Sequence, residues 1–142
     1  MLFDITNKIV KLCADGMSLE SEGKSNEAAA LFLQAWNEAE NDFEKFTAAH
    51  YVARHQSTVI DKLKWDEAAL YHAKKIPDNT LKASYPSLYL NIAKCHEDLK
   101  NWKMAKSNYQ LAQSYSDQLP LDGYGQMIRS GIMNGLQRMK DK

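Results

Sequence analysis

Apolar residues return at steps of three and four along most of the chain, the spacing of one face of an amphipathic α-helix. The first run forms a nearly unbroken apolar stripe of Leu2, Ile5, Ile9, Leu12, Gly16 and Leu19. Glycine and proline are scarce, with 6 and 3 occurrences, whereas β-proteins need frequent turn residues. The pattern therefore predicts an all-α protein.

Turn and capping residues divide this pattern into helices. The Gly-Lys-Ser-Asn sequence at 23–26 is expected to end the first helix and to cap the second. Asn41 and Glu44 have the spacing of a capping box, so a third helix should begin there. Its apolar stripe continues to Leu63, and a short fourth helix should follow from Trp65.

The second half of the chain divides in the same way. Pro77 should stop the fourth helix, the stretch 80–85 is ambiguous and fits a long loop, and Pro86 suits the first turn of a fifth helix. We therefore expect about seven helices in one domain, 1–142. They should form hairpins at about 3–40, 42–76 and 84–118 and a capping helix at about 122–140.

The predicted hairpins contain an internal repeat. Ala28, Ala68 and Ala105 each lie early in the second helix of a hairpin, at spacings of 40 and 37 residues. Two helices can approach closely only where a side chain is small, which explains alanine at this position. Repetition at this period is typical of stacked helical hairpins.

The pattern resembles the tetratricopeptide repeat (TPR) family, whose unit is a helical hairpin. In the third hairpin eight residues fall at the family's signature positions, and only the fourth departs from the expected type: Tyr89, Ile92, Ala93, His96, Trp102, Ala105, Tyr109 and Ala112. The first hairpin matches at Gly16, Ala28, Phe32 and Ala35. The resemblance implies a right-handed α-solenoid of antiparallel hairpins.

The second hairpin carries the resemblance least well. Trp65 and Ala68 fit, but Gln56 and Lys75 occupy positions where the family has small residues. The spacings also exceed the family's period of about 34 residues, which implies longer helices or loops. The resemblance concerns the fold and leaves the ligand open.

The charge balance limits the classes of partner. Lys+Arg and Asp+Glu are both 18, and no run of basic residues occurs, so a nucleic-acid interface or an anionic membrane surface is not expected. The start of the chain carries Asp4 and Lys8 among apolar positions, which does not fit a signal peptide. Two cysteines outside any CxxC suit a reducing compartment, so the cytoplasm is expected.

Signatures of catalysis are weak. His50 and His55 lie five positions apart, about 140° around a helix, and there is no HExxH motif. Gly123 and Gly125 lack the third glycine of a dinucleotide loop, and neither cysteine lies beside a base on one helix face. We therefore expect no enzyme activity, no cofactor and no metal.

The most promising polar group lies at positions that the family alignment places on the concave wall. His50, Arg54 and Ser57 would share a face of the third helix, Asn91 and Lys94 a face of the fifth, and Arg129 would lie on the last helix. The first helix has Cys13 and Met17 where a carboxylate clamp would need polar residues. This favours a peptide with a hydrophobic anchor beside an acidic group.

The sequence therefore favours a non-catalytic adaptor that binds a protein or peptide, with an acidic or carboxylate-bearing partner suggested by Arg54, Lys94 and Arg129. Three cations in one groove would repel one another unless an anion binds. Glu97 and Asp98 lie about one turn from Lys94 and could already neutralise it. Alternatives are a small-molecule or anion sensor, and a homo-oligomer that pairs through exposed Trp and Tyr side chains.

Overall fold

A computed structural model describes residues 3–77 and 79–142 of the chain. Within these residues it is all-helical and contains no strand, as predicted, with seven α-helices and two short 3₁₀ segments. The helices are α1 (Lys8–Ser21), α2 (Ser25–Glu38), α3 (Asp42–Ala53), α4 (Val59–Lys74), α5 (Tyr85–Asp98), α6 (Trp102–Ser114) and α7 (Gly123–Met139). The 3₁₀ segments are Asn79–Ser84 and Ser116–Gln118.

The helices belong to two compact units, the first ending at Pro77. In the first unit α1 packs against α2 and α3, and α3 packs against α4. Its core is a cluster of small and apolar side chains from α1, α2 and α3: Ile9, Cys13, Ala28, Phe32, Ala35, Ala48 and Val52. The alternation of alanine with large side chains lets these helices approach closely.

In the second unit α5, α6 and α7 pack against one another in all three pairings. The core is formed by Ala93, Ala105, Tyr109 and Met139, with Leu90, Trp102 and Leu136 at its edge. Ala105 is fully buried beside Ala93, so it lies at the contact between α5 and α6 as the repeat predicted.

Each unit uses one glycine where a helix meets a buried ring. A Cβ on Gly16 would lie 2.4 Å from Cε1 of Phe32, and a Cβ on Gly135 would lie 2.2 Å from Cε1 of Tyr109. Both rings are fully buried. Only glycine fits at these two positions without moving a packed ring.

The third helix is shorter than predicted. It ends at Ala53, and α4 begins at Val59, so the expected stripe through Gln56 to Leu63 is not one helix face. Thr58 terminates the loop, since its hydroxyl accepts a hydrogen bond from the Asp61 backbone N–H at 3.1 Å and caps α4. The stretch 80–85, expected as a loop, lies mostly in the first 3₁₀ segment.

The predicted cap of α2 is also wrong, although the end of α1 is right. Gly23 has φ +77°, and the Lys24 N–H donates to the Leu19 carbonyl, which is the hydrogen bond of a Schellman motif. Lys24 is the residue that precedes α2, and no side chain caps that helix. Asn41 does cap α3, as expected, by accepting from the Glu44 N–H at 2.9 Å.

No helix in the described ranges has both the length and the apolar character needed to cross a membrane. The single domain and the solenoid arrangement stay predictions.

Candidate functional site

An apolar pocket of about 180 Å³ opens on the first unit, between α1, α3 and the segment that precedes α1. It is lined by Phe3, Ile5, Val10, Cys13, Ala14, Met17, Thr47 and Tyr51. Three apolar side chains at this pocket remain in solvent: Phe3 is 47% exposed, Ile5 65% and Met17 42%. Their exposed apolar surface would be removed from water if an apolar group entered.

The local sequence explains why the pocket is apolar. Asn7 caps α1 by accepting from the N–H groups of Ile9 and Val10, which fixes the start of the helix and hence the face it presents. Cys13 and Met17 are one turn apart on that face. Burial raises the pKa of the Cys13 thiol to about 12, so it is protonated at neutral pH and contributes an apolar surface rather than a nucleophile.

Tyr51 forms one wall of the pocket, and polar side chains of α3 contact its ring. Its ring stacks on Phe32, with centroids 5.1 Å apart and an interplanar angle of 20°. The Arg54 guanidinium carbon lies 4.9 Å from the Tyr51 ring centroid, and the His50 ring meets Tyr51 edge-on at 5.1 Å. His50 and Arg54 are therefore brought together beside the pocket.

Glu20 of α1 holds the end of α3 in place. Its carboxylate accepts a hydrogen bond from Arg54 at 2.9 Å and lies 2.7 Å from Nε2 of His55. Arg54 therefore already has an acidic partner, and its side chain remains 43% exposed. A carboxylate arriving from outside would have to share the guanidinium with Glu20.

His50 is neutral at physiological pH. Burial, together with the charges of Arg54 and Lys62, lowers its pKa to about 4. The imidazole therefore offers a hydrogen-bonding group and an aromatic edge at this wall, but no charge.

Ser57 does not share a helix face with His50 and Arg54, which corrects the sequence interpretation. It is exposed in the loop after α3, because that helix ends at Ala53 and Arg54 is its C-terminal capping residue. Of the three residues expected on one face of the third helix, only His50 and Arg54 lie together.

The remaining predicted residues belong to the second unit. Asn91 and Lys94 lie three positions apart on α5, as expected, and the Lys94 ammonium pairs with Asp98 at 2.6 Å. Arg129 lies on α7 and donates to the carbonyls of Pro120 at 3.0 Å, Leu119 at 3.0 Å and Ser116 at 3.2 Å. It thereby fastens the preceding loop to α7.

These contacts correct the premise that the three cations lack internal partners. Glu20 pairs with Arg54 and Asp98 pairs with Lys94. Repulsion among unpaired cations is therefore not a reason to expect an anionic ligand.

A smaller pocket of about 120 Å³ adjoins Arg129 and is lined also by Gln113, Ser116, Ile132 and Met133.

Sequence reasoning missed Phe3, Ile5 and Tyr51 as pocket residues. The available signal was a short apolar segment just before a capped helix, followed by exposed Met17 on the same helix. Within the described ranges there is no group of three His, Cys, Asp or Glu side chains suited to a metal ion.

Known proteins give no further guide to the site: no family model, no curated protein and no solved structure matches this chain.

Proposed function

We propose that this chain is a non-catalytic adaptor that binds a protein or peptide, with the α1–α3 pocket accepting an apolar side chain of the partner. The fold proposed with it is the TPR-like α-solenoid that the sequence suggested. The observation that carries the proposal is the pocket, with three partly exposed apolar side chains at its lining.

The size of the pocket favours a side chain over a metabolite. Sites for drug-sized ligands and cofactors usually enclose roughly 300–1,000 Å³, with a few polar groups placed to orient the ligand. This pocket encloses about 180 Å³, and Thr47 and Tyr51 are the two lining residues that carry a hydroxyl group. One leucine, methionine or phenylalanine side chain suits this volume and lining.

The charged wall suggests what lies next to the anchor. Arg54 is half-exposed and held by one carboxylate, so an acidic group of the partner can compete with Glu20 for its donors. The proposed ligand is therefore an apolar anchor followed by an acidic residue. The two free cysteines, both buried, are consistent with a cytoplasmic site of action.

The test is selection of peptides from a random display library, followed by affinity measurement on two matched variants. Met17→Lys puts a charge at the pocket mouth, and Ile60→Lys makes the same change on exposed α4 of the same unit. Selected peptides should share an apolar anchor. Their affinity should fall roughly tenfold or more, about 1.4 kcal/mol, for Met17→Lys and stay unchanged for Ile60→Lys.

Equal losses in the two variants, or peptides without a shared apolar residue, would contradict the pocket as the binding site. Circular dichroism of both variants controls for folding, since both positions are exposed and neither should alter helix content.

A further inference from the structure

The second unit carries a group of lysines from two stretches of the sequence, 100–106 and 140–142, that the packing of α6 and α7 brings together. Five exposed lysines, here called the basic face, surround the start of α6 and the end of α7: Lys100, Lys103, Lys106, Lys140 and Lys142. The ammonium of Lys142 lies 4.6 Å from the centroid of the Trp102 ring. Met139 packs with Ala105 in the core, so the last turn of α7 lies against the first turns of α6.

None of the five lysines of the basic face forms an ion pair within the described part of the chain, although Asp141 lies between Lys140 and Lys142 in the sequence. No carboxylate there lies within ion-pair distance of any of the five lysines, whereas other lysines such as Lys8, Lys11 and Lys94 are paired. Helix α6 contains no acidic residue. Glu97, the nearby half-buried carboxylate, is already held by Arg138 and Tyr109.

The two units carry net charges of opposite sign, which the neutral total for the whole chain conceals. Residues 78–142 contain nine Lys+Arg and six Asp+Glu, whereas residues 1–77 contain nine and twelve. The neutral total therefore combines a net −3 and a net +3. The start of α6 adds the partial positive charge of a helix N-terminus to the basic face.

The composition of the basic face indicates the kind of anion it fits. Lysine is a compact charge on a flexible stem, which adapts to the irregularly spaced carboxylates of a flexible acidic segment, whereas the planar fork of arginine recognises carboxylate and phosphate groups bidentately. The arginine nearest the face, Arg138, has its guanidinium occupied by Glu97 at 2.7 and 3.0 Å. Trp102 is half-buried and has the Lys142 ammonium over its ring, so it is not a fully exposed aromatic platform of the kind on which bases stack.

We propose that the basic face binds an acidic segment of a partner protein. The basic face belongs to the second unit and the α1–α3 pocket to the first, and neither proposal depends on the other. Together they give the adaptor one surface for an apolar anchor and a second for negative charge.

The experiment measures fluorescence anisotropy of a labelled peptide of about ten glutamates against the full chain. Wild type should bind at low ionic strength and weaken as salt is added, because exposed charges are screened. The double variant Lys103→Glu and Lys106→Glu should bind roughly tenfold or more weakly. Both positions are exposed, and acidic residues early in α6 favour the helix, so folding should persist.

The matched control is Lys24→Glu with Lys64→Glu, which makes the same change in net charge on exposed positions of the first unit. It should change the affinity for the glutamate peptide far less. Two further probes of similar charge are an oligothymidylate and vesicles containing phosphatidylserine. No binding at low salt, equal losses in the two double variants, or tighter binding to either further probe would overturn the proposal.

Discussion

The hairpins α1–α2 and α5–α6 follow one plan at a constant offset of 77 residues. Gly23 corresponds to Lys100, Ala28 to Ala105, Phe32 to Tyr109 and Glu20 to Glu97. At both positions of the first pair the backbone has positive φ, and both alanines and both rings are fully buried. The two hairpins therefore differ in side chains placed on a shared framework.

The buried rings differ in what restrains them. Phe32 is held by packing alone, stacked on Tyr51 and near the His55 ring at 5.6 Å. Tyr109 donates its hydroxyl hydrogen to Glu97 at 2.6 Å, and Arg138 donates to the same hydroxyl oxygen at 3.2 Å. One phenolic oxygen thus ties the core of the second unit to a charged pair.

The corresponding glutamates hold the helix that follows each hairpin. Glu20 binds Arg54 and His55 at the end of α3, whereas Glu97 binds Arg138 in the last turn of α7. Glu97 is the more buried of the two, with 13% of its side chain exposed against 23% for Glu20. We call each glutamate–arginine pair, Glu20 with Arg54 and Glu97 with Arg138, a clasp. The clasp of the first unit lies beside an open pocket, and that of the second lies against a closed core.

The largest expected loss of stability comes from adding a Cβ at the two glycines that contact buried rings. Gly135→Ala should destabilise by roughly 2–3 kcal/mol, because Tyr109 is anchored through its hydroxyl and cannot slide away. Gly16→Ala should cost less, about 1–2 kcal/mol, since Phe32 has no such anchor. Urea denaturation gives both values. Gly123→Ala, which meets no atom within 4 Å, should be near neutral. Equal costs at Gly16 and Gly135 would mean that the hydroxyl does not restrain the ring.

The clasps should also differ when their arginines are removed. Arg138→Ala leaves the half-buried Glu97 carboxylate with Tyr109 as its remaining partner, so we expect a loss of about 1–2 kcal/mol. Arg54→Ala leaves Glu20 with His55, and a loss below about 1 kcal/mol is expected for an exposed pair. Thermal melts of the two variants give the ranking. A larger loss for Arg54→Ala would make it a structural residue and weaken its assignment to the pocket wall.

Acid should release the clasp of the second unit. The Arg138 guanidinium, with the Tyr109 hydroxyl, holds the pKa of Glu97 below its ordinary value of 4.5. Because the folded-state pKa is lowered, the contribution to stability is complete above about pH 4.5 and is lost as the pH falls through the folded-state value. Urea midpoints from pH 7 to 3 should fall less steeply for Glu97→Gln than for wild type. Parallel curves would show that Glu97 is not part of the acid response.

Much of the fold followed from apolar spacing and from glycine, proline and asparagine at helix ends. The error at α3 arose because the stripe from Phe43 to Leu63 keeps the helical period across a loop. The Thr58 cap, with Asp61 three positions later, was the signal for the break. A periodic pattern cannot by itself exclude a short interruption in register.

The candidate site was predictable only in part. The apolar character of Cys13 and Met17 was read correctly from the first helix. The acidic partners of Arg54 and Lys94 differ in kind, since Asp98 lies one turn from Lys94, whereas Glu20 lies 34 positions from Arg54. Local spacing anticipates the first kind of pair. The second, like the basic face, depends on how helices pack.

The smallest expected change in stability concerns the two residues with positive φ that follow α1 and α5, Gly23 and Lys100. Lys100 has φ 62°, a left-handed conformation that glycine adopts without strain, as Gly23 does at φ 77°. Lys100→Gly should therefore stabilise the protein by about 0.5–1 kcal/mol, measured by urea denaturation. Lys100→Ala is the control, because it removes the same charge from the basic face and keeps the strained backbone. The difference between the two variants isolates the backbone term from the relief of lysine repulsion.

The reverse change, Gly23→Ala, should destabilise by a similar amount at a site with no atom within 4 Å of the new Cβ, so the cost there is conformational. If Lys100→Gly is no more stable than Lys100→Ala, the lysine is accommodated without strain, and the two positions are equivalent despite their different residues.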